Sequence, residues 1–246
     1  MMTHTTSDGL LANGIVKHFG SVSVLKNVDF SMKTDEAVGI VGPNGAGKTT
    51  LLSALAGAFS LDEGSIFLND QEVTDKSASE RCSLGVVRTH QIPKPFGGMT
   101  VFENVLVASS YGVDSTKESA YQFALDAIQL SGMEHVANRQ ADSLGLLDRK
   151  RLELARALAT QPKFLLLDEI AGGLTEAESI QLVDTIKELR RRGIGILWIE
   201  HIVHVLLQVA ERLICMDSGE IIADGDPETV LSDPQVIKAY LGGGVE

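Results

Sequence analysis

The chain has 246 residues, of which 44% are hydrophobic, and it carries a formal net charge of −12. This length suits one large domain with insertions, and the apolar fraction is enough for a sizeable core. The acidic balance argues against a general nucleic-acid-binding protein, because phosphate contacts need clustered Lys and Arg side chains. We expect no nucleic-acid partner, and the basic clusters at residues 149–151 and 190–192 are interpreted as helix surface.

The N-terminal segment and the cysteines indicate the compartment. Residues 1–9 are predicted to be a flexible tail, because they have neither the basic start nor the apolar centre of a signal peptide. No apolar run approaches the ~18 residues that cross a bilayer. Cys82 and Cys215 have no metal-ligand spacing, and Cys215 is predicted to be a buried thiol, as in a reducing compartment. We therefore expect a cytoplasmic protein in which residues 10–246 form a single domain.

The first half of the chain predicts short strands and one helix. Strands are predicted over residues 10–17, 22–32, 37–41, 65–68 and 84–88, where β-branched and apolar residues are frequent. A helix is expected over residues 50–56, and residues 69–72 are predicted to be a turn. Residues 91–100 contain two prolines and two glycines, which predicts a loop.

A G-x-x-x-x-G-K-[ST] motif lies between the strand at 37–41 and the helix at 50–56. Glycines allow the backbone N–H groups to point inward at phosphate oxygens, and the helix N-terminus adds a partial positive charge. Lys48 supplies a charge for the β- and γ-phosphates, and the Thr49 hydroxyl is placed to ligate Mg²⁺. The motif therefore predicts a nucleoside triphosphate site formed by Gly42, Pro43, Asn44, Gly45, Ala46, Gly47, Lys48, Thr49 and Thr50.

Helices and strands alternate in the second half of the chain. Residues 101–140 are predicted to be helical, for example over 120–130 with apolar positions at Tyr121, Leu125 and Ile128. The predicted elements that follow are helices at 149–159, 176–192 and 202–208, buried strands at 164–167 and 195–199, and a hairpin of 213–216 with 220–223. Continuous apolar strands that alternate with helices indicate an α/β fold with a covered parallel sheet.

Polar side chains that follow these strands predict hydrolytic chemistry. Asp168 and Glu169 end a buried strand, where an open parallel sheet binds its ligand. Asp168 would hold Mg²⁺, and Glu169 can take a proton from an attacking water. His201 follows the next buried strand, where a γ-phosphate contact is expected although a lone histidine is usually structural. Gln91 opens the predicted loop, and its amide can reach Mg²⁺ or the attacking water.

Together, these motifs resemble the ATP-binding subunit of an ABC transporter, over nearly the whole chain from residue 14 to residue 242. Residues 87–91, 99–105, 151–158 and 233–242 are similar to the ATPases of branched-chain amino-acid and amide importers. The resemblance implies a P-loop NTPase of the ABC-ATPase type with a RecA-like parallel sheet core. It also implies an N-terminal antiparallel β subdomain and an inserted α-helical subdomain at about residues 92–160.

The resemblance also implies roles and partners. Phe19 matches the aromatic residue that stacks on adenine, although it could instead be an apolar turn anchor. Residues 171–175 match the D-loop, which crosses to a partner ATPase subunit. ATP and Mg²⁺ would lie between two such subunits on the cytoplasmic face of the membrane. A transmembrane permease, served by an external substrate-binding protein, would contact Phe96, Met99 and Phe102, although core packing explains Phe102 equally well.

One family motif departs from its usual form. The signature L-S-G-G-Q is replaced here by residues 144–148, Leu-Gly-Leu-Leu-Asp, which lack the serine and carry two leucines in place of glycines. The resemblance implies that this motif binds the phosphate held by the opposite subunit, so we expect a heterodimer with a related ATPase whose signature is intact. Pairing with an identical chain is the alternative.

Three other functions are compatible with these motifs. An exporter ATPase, such as one for lipopolysaccharide, shares similar motifs. A soluble ABC-type ATPase of DNA repair or translation usually has a coiled-coil insertion or two cassettes, and this chain has neither. A regulatory binder that hydrolyses little ATP is suggested by the altered signature alone.

Overall fold

The structure, a computed structural model, describes residues 9–113 and 116–242. The strands are β1 (Gly9–Phe19), β2 (Val22–Lys33), β3 (Ala37–Val41), β4 (Glu63–Leu68), β5 (Gln71–Glu72), β6 (Val86–Arg88), β7 (Phe164–Asp168), β8 (Gly195–Ile199), β9 (Arg212–Asp217) and β10 (Glu220–Gly225). The α-helices are α1 (Lys48–Leu55), α2 (Ala78–Ser83), α3 (Val101–Ser109), α4 (Lys117–Leu130), α5 (Leu146–Ala159), α6 (Glu176–Arg191), α7 (Val203–Leu206), α8 (Pro227–Ser232) and α9 (Pro234–Gly242).

An antiparallel sheet forms the N-terminal part of the chain, with the strand order β2-β1-β4-β5. Its inward side chains, for example Leu10, Ala12 and Ile15 of β1, are fully buried. The predicted antiparallel sheet is therefore present. β1 begins at Gly9, the last residue of the predicted tail, and residues 1–8 lie outside the described residues. The division into a tail, a domain and an inserted subdomain stays a prediction.

A second sheet carries the candidate site. Its order is β10-β9-β3-β8-β7-β6, and all neighbouring pairs from β9 to β6 are parallel. Every residue of β3, β7 and β8 is buried, as the continuous apolar runs predict. The α/β fold with a parallel sheet is thus confirmed. Because the strands are parallel, the chain leaves β3, β6, β7 and β8 at the same edge, where ligands bind in open sheets.

Helices α3, α4 and α5 pack against one another. The helix predicted over 120–130 is confirmed, but only Ile128 of the three apolar positions that indicated it is buried. Tyr121 and Leu125 are 55% and 48% exposed. The buried face consists of Ala120, Ala124, Ala127 and Ile128. This face consists mostly of small alanine side chains, which allow neighbouring helices to pack closely.

Two short elements differ from the sequence-based prediction. Gln71 and Glu72, predicted to be part of a turn, form β5 and pair with the end of β4. Helix α2 was not predicted, although Ser77 and Glu80 form a capping box at its start. An S-x-x-E spacing is a recognisable helix-start signal, and it could have identified this helix from the sequence.

None of the helices in the described ranges combines the length and the apolar character needed to cross a bilayer.

Candidate active site

The P-loop connects β3 to α1 and leaves the N-terminus of that helix open. Gly47 is the N-cap residue at φ 100°, and no side chain caps the helix. The first N–H groups of an α-helix have no carbonyl partner within the helix, so an anion can bind there. Gly42, at φ 143°, allows the loop to lie close to β9, since a Cβ at this position would be 2.1 Å from the Met216 carbonyl oxygen.

Lys48 points back into the P-loop. Its ammonium donates hydrogen bonds to the carbonyl oxygens of Gly42 and Pro43, at 2.7 and 2.9 Å. Burial lowers the pKa of Lys48, and the nearby carboxylates of Glu169 and Asp168 raise it in part. Both of its hydrogen-bond acceptors are neutral carbonyls, and the two carboxylates act on it only from a distance, so an anion bound in the loop would add a direct charge partner. This arrangement fits a phosphate group.

A cavity of about 180 Å³ lies over the loop. It is lined by Val24, Asn44, Gly45, Ala46, Gly47, Lys48, Thr49, Thr50 and Glu169. The structure therefore places residues 44–50 of the predicted phosphate-binding loop and the predicted general base around one space, whereas Gly42 and Pro43 do not line it.

Asp168 ends β7 and lies beside the start of α1. Its carboxylate accepts a hydrogen bond from the Thr49 hydroxyl at 3.3 Å and a charged hydrogen bond from Arg88 at 2.7 Å. Asp168 is almost fully buried, whereas Thr49 is exposed. Hydroxyl and carboxylate oxygens are the donors that Mg²⁺ prefers. The side chains of Thr49 and Asp168 thus suit a magnesium ion, and a bound nucleotide would supply further oxygen ligands.

Glu169 lies between two side chains that bind its two carboxylate oxygens. His201 Nε2 is 2.8 Å from Oε1, and the Gln91 amide donates to Oε2. The backbone of Glu169 is left-handed, with φ 50°, and its N–H donates to the Ile199 carbonyl at 2.9 Å. The predicted residues Glu169, His201 and Gln91 are therefore brought together. Gln91, also predicted as a Mg²⁺ ligand, contacts Glu169 in this structure rather than the pair formed by Thr49 and Asp168.

A buried lysine supports the backbone after Glu169, and the prediction that Lys150 lies on the helix surface is wrong. Lys150 is 7% exposed, and its ammonium donates to the Ile170 carbonyl at 2.9 Å. Burial lowers its pKa. Lys150, Leu154 and Ala157 share the i, i+4, i+7 spacing of one buried helix face. This spacing was the sequence signal for its burial.

Glu200 holds the same segment from the other side, and sequence reasoning missed it as well. Its carboxylate accepts hydrogen bonds from the Ala171 N–H at 2.6 Å and the Trp198 indole at 3.2 Å. Glu200 is 2% exposed, and burial raises its pKa. The sequence signal for this role was the position of the Glu200 carboxylate between the buried strand β8 and His201. Lys150 and Glu200 therefore hold the backbone on either side of the bond between Ile170 and Ala171, where the predicted D-loop, residues 171–175, begins.

Phe19 ends β1 and is 50% exposed. It packs edge-on against Phe59, with ring centroids 5.4 Å apart, and the Lys17 ammonium lies 5.5 Å from the Phe19 centroid. An exposed aromatic ring held in place by a second ring can receive a planar base on its free face. The predicted adenine contact is compatible with this placement, and the role of Phe19 stays a prediction.

Replacing Phe19 by Ala is expected to weaken nucleotide binding by roughly tenfold, because stacking of a base on an aromatic ring contributes about 1–3 kcal/mol. A titration with a fluorescent adenine nucleotide measures the change. Phe96→Ala is the matched control, since Phe96 is also an exposed phenylalanine, at 46%, but lies in the loop before α3. Equal affinities for Phe19→Ala and the parent would remove Phe19 from the site.

The altered signature forms the start of α5. The helix begins at Leu146, three residues before the predicted start, with Gly145 as an N-cap that makes no side-chain hydrogen bond. Leu146 is 51% exposed. A Cβ added to Gly173 of the D-loop would lie 3.3 Å from the Leu146 side chain. An open helix N-terminus is thus retained, and the exposed Leu146 side chain lies at its first residue.

Comparisons with known proteins identify the family. Residues 25–172 match the ABC transporter family model, and residues 220–246 match the model for the branched-chain amino acid ATP-binding cassette transporter. The chain belongs to the ABC transporter family of ATP-binding cassettes. The family and the fold predicted from the sequence are therefore confirmed.

Similar proteins cover almost the whole cassette. LivG of Escherichia coli K12, named a high-affinity branched-chain amino acid transport ATP-binding protein, is 36% identical over 95% of this chain and 97% of its own length. LptB of Haemophilus influenzae, named a lipopolysaccharide export system ATP-binding protein, is 34% identical over 95% of this chain and 97% of its own length. The crystal structure of the ADP conformation of MJ1267, an ABC transporter cassette, matches with a TM-score of 0.86 and 31% identity, covering 96% of this chain and 100% of that one.

Proposed function

We propose that this cassette binds and hydrolyses ATP to energise transport through a membrane permease. The observation that carries the proposal is the meeting of the P-loop with Asp168, Glu169 and His201 at one edge of the parallel sheet. Lys48 and the N-terminus of α1 offer positive charge to the phosphates, and Thr49 and Asp168 would hold Mg²⁺. When bound, that ion supplies charge neutralisation at the phosphate oxygens.

In the proposed reaction, water attacks the γ-phosphorus, and the bond from that phosphorus to the ADP oxygen breaks. Glu169 accepts the proton of the water, since each carboxylate oxygen has a lone pair beyond the one used by His201 or Gln91. His201 and Gln91 hold the two oxygens of this carboxylate and so orient it. Lys48 neutralises the charge that develops on the phosphoryl oxygens.

Import of branched-chain amino acids or related amides is the transport reaction that we favour. The similarity to LivG and the match of residues 220–246 support this choice. In this proposal, the chain acts on the cytoplasmic face of the membrane with permease subunits, and an external binding protein supplies the substrate. The exposed Phe96 side chain and the half-buried Met99 and Phe102 are proposed permease contacts. The similarity to LptB keeps an export function as the second candidate.

Uptake assays separate import from export. Cells that lack this gene should take up radiolabelled leucine, isoleucine or valine more slowly. The parent gene should restore uptake, and a Lys48→Ala gene should not. Normal uptake of these amino acids, amides and urea, together with lipopolysaccharide retained at the inner membrane, would contradict import and support export.

We propose that the chain pairs with a related ATPase subunit. The Leu146 side chain and the absent serine leave the start of α5 poorly suited to bind the phosphate of an opposite subunit. The partner's intact signature would complete the site that contains Lys48 and Glu169, whereas the site that uses residues 144–148 would be impaired. The retained helix N-terminus at Leu146 makes self-pairing the alternative.

Light scattering after size exclusion tests the pairing. Glu169→Gln with saturating Mg-ATP is expected to bind ATP and remain a monomer, because no intact signature is present. An ATP-dependent dimer of this single chain would contradict the need for a related partner. The double change Leu146→Gly and Leu147→Gly, combined with Glu169→Gln, is the matched variant, and it should move the mass toward that of a dimer.

A further inference from the structure

Thr49 and Asp168, whose side chains are the predicted Mg²⁺ ligands, belong to a closed ring of hydrogen bonds. The Thr49 hydroxyl donates to Asp168 Oδ1 at 3.3 Å, and Arg88 Nη2 donates to Asp168 Oδ2 at 2.7 Å. Arg88 Nη1 donates to the Ser53 hydroxyl at 2.5 Å. Ser53 in turn donates to the Thr49 carbonyl at 2.6 Å. The ring therefore returns to the residue from which it starts, and it joins the end of β6 to α1 and β7.

Arg88 holds this position because of the strand register. It is the last residue of β6 and pairs with Leu166 of β7, two residues before Asp168. Thr89 extends the pairing, since its N–H donates to the Leu166 carbonyl at 3.0 Å. The Arg88 side chain is 16% exposed. Its Nε is buried without a hydrogen-bond partner in the described part of the chain, so the two outer nitrogens make all of its described side-chain hydrogen bonds.

The two outer nitrogens of Arg88 bind different partners, Nη1 the Ser53 hydroxyl and Nη2 the Asp168 carboxylate. A guanidinium presents its donors in a planar fork, so fixing one nitrogen on Ser53 also fixes the direction of the other toward Asp168. With Oδ2 occupied by Arg88, the remaining oxygen of Asp168 is the one that faces Thr49. A lysine would carry the same charge but could not bridge both partners with fixed geometry.

We infer that Arg88 is a positioning residue for the divalent cation of the nucleotide complex. It orients the Asp168 carboxylate toward Thr49 through the fork anchored on Ser53. This inference rests on the proposed function, because it assumes that a metal–nucleotide complex binds at Thr49 and Asp168.

Charge and geometry predict opposite signs for the effect of Arg88. A guanidinium beside a cation site repels the cation, so a purely electrostatic role predicts tighter metal binding when the charge is removed. A positioning role predicts weaker metal binding, since residues that orient a metal ligand typically contribute a factor of about 10–100 to metal affinity. The direction of the change therefore distinguishes the two roles.

The test is a titration of the protein–ADP complex with Mn²⁺, with free Mn²⁺ followed by electron paramagnetic resonance. Protein is kept in excess over ADP so that little free nucleotide captures metal. Arg88→Gln and Arg88→Lys are both expected to raise the dissociation constant of Mn²⁺ by about tenfold or more. The affinity for ADP in the presence of EDTA should stay at the parent value, because the ring does not contact the P-loop amides or Lys48.

Two further variants complete the design. Ser53→Ala keeps the charge of Arg88 but removes its anchor, so it should weaken Mn²⁺ binding in the same direction by a smaller factor. Adding it to Arg88→Gln should cause little further loss, because coupled residues are not additive. Arg192→Gln is the control for charge, since Arg192 lies on the surface and pairs with Glu188 at 3.1 Å. It should leave Mn²⁺ binding unchanged.

Several outcomes would overturn the inference. Parent-like or tighter Mn²⁺ binding in Arg88→Gln would do so, as would parent-like binding in Arg88→Lys. If Arg88→Gln lost as much affinity for ADP in EDTA as it loses for Mn²⁺, Arg88 would act in nucleotide binding instead. A parent protein that binds no ADP would reject the proposed function and this inference with it. If the parent binds ADP and the variants bind Mn²⁺ as tightly as the parent does, this inference alone is rejected.

Discussion

Glu169→Gln is expected to reduce the steady-state rate of ATP hydrolysis by about 100-fold or more, the typical contribution of a general base. Glutamine has nearly the same shape, so the contacts of this side chain with His201 and Gln91 can persist while its capacity to accept a proton is lost. Nucleotide affinity should therefore stay within about threefold of the parent value. Phosphate release, measured with the partner subunit present, gives the rate, and a nucleotide titration gives the affinity.

Glu176→Gln is the matched control for this change. Glu176 is an exposed carboxylate in the first turn of α6, the helix that follows the D-loop. Its replacement removes the same charge and should leave turnover at the parent level. Turnover of Glu169→Gln at the parent rate would remove Glu169 from the role of general base.

Lys48→Ala is expected to raise the dissociation constant for ATP by at least about tenfold, since hydrogen bonds to charged groups contribute about 1.5–3 kcal/mol. The physical reason is the position of the ammonium, which is 6% exposed and has only neutral carbonyl acceptors in the P-loop. A phosphate would supply the missing negative charge. Fluorescent nucleotide titration measures the loss.

The thermal stability of the nucleotide-free protein is a second readout for Lys48→Ala. Burial lowers the pKa of Lys48, so folding disfavours its charged form, which opposes the loss of its hydrogen bonds to the Gly42 and Pro43 carbonyls. Removing the ammonium should therefore change the melting temperature little. Lys26→Ala, which removes an exposed lysine of β2, should change neither quantity. If Lys48→Ala melted well below the parent, its loss of affinity would reflect misfolding rather than a missing phosphate contact.

Much of the candidate site could be predicted from the sequence because its parts are contiguous. The P-loop residues are neighbours in the chain, and glycine, lysine and threonine at fixed spacing define a phosphate-binding loop. Asp168 and Glu169 are likewise adjacent, and the apolar run before them predicts the strand that ends there. Parallel strands then bring His201 and Gln91 to the same edge, which follows from topology alone.

The supporting contacts were missed because they join residues that are distant in sequence. Arg88 contacts Asp168 across 80 positions and Ser53 across 35. Lys150 reaches the Ile170 carbonyl from a helix whose basic residues were read as surface. Charge alone suggests exposure, and only packing reveals that a buried carbonyl or carboxylate satisfies the charged group.

By itself, the sequence determined the family, the parallel α/β core, the position of the P-loop motif between β3 and α1 and the acidic end of β7, because each depends on local motifs and on hydrophobic periodicity. Tertiary structure decided which face of α4 is buried, that Gln91 and His201 both bind Glu169, and that Arg88 closes the ring around Asp168. Those outcomes depend on strand register and on the competition of neighbouring side chains for space and for hydrogen-bond partners. Such long-range contacts form only when the whole chain has packed.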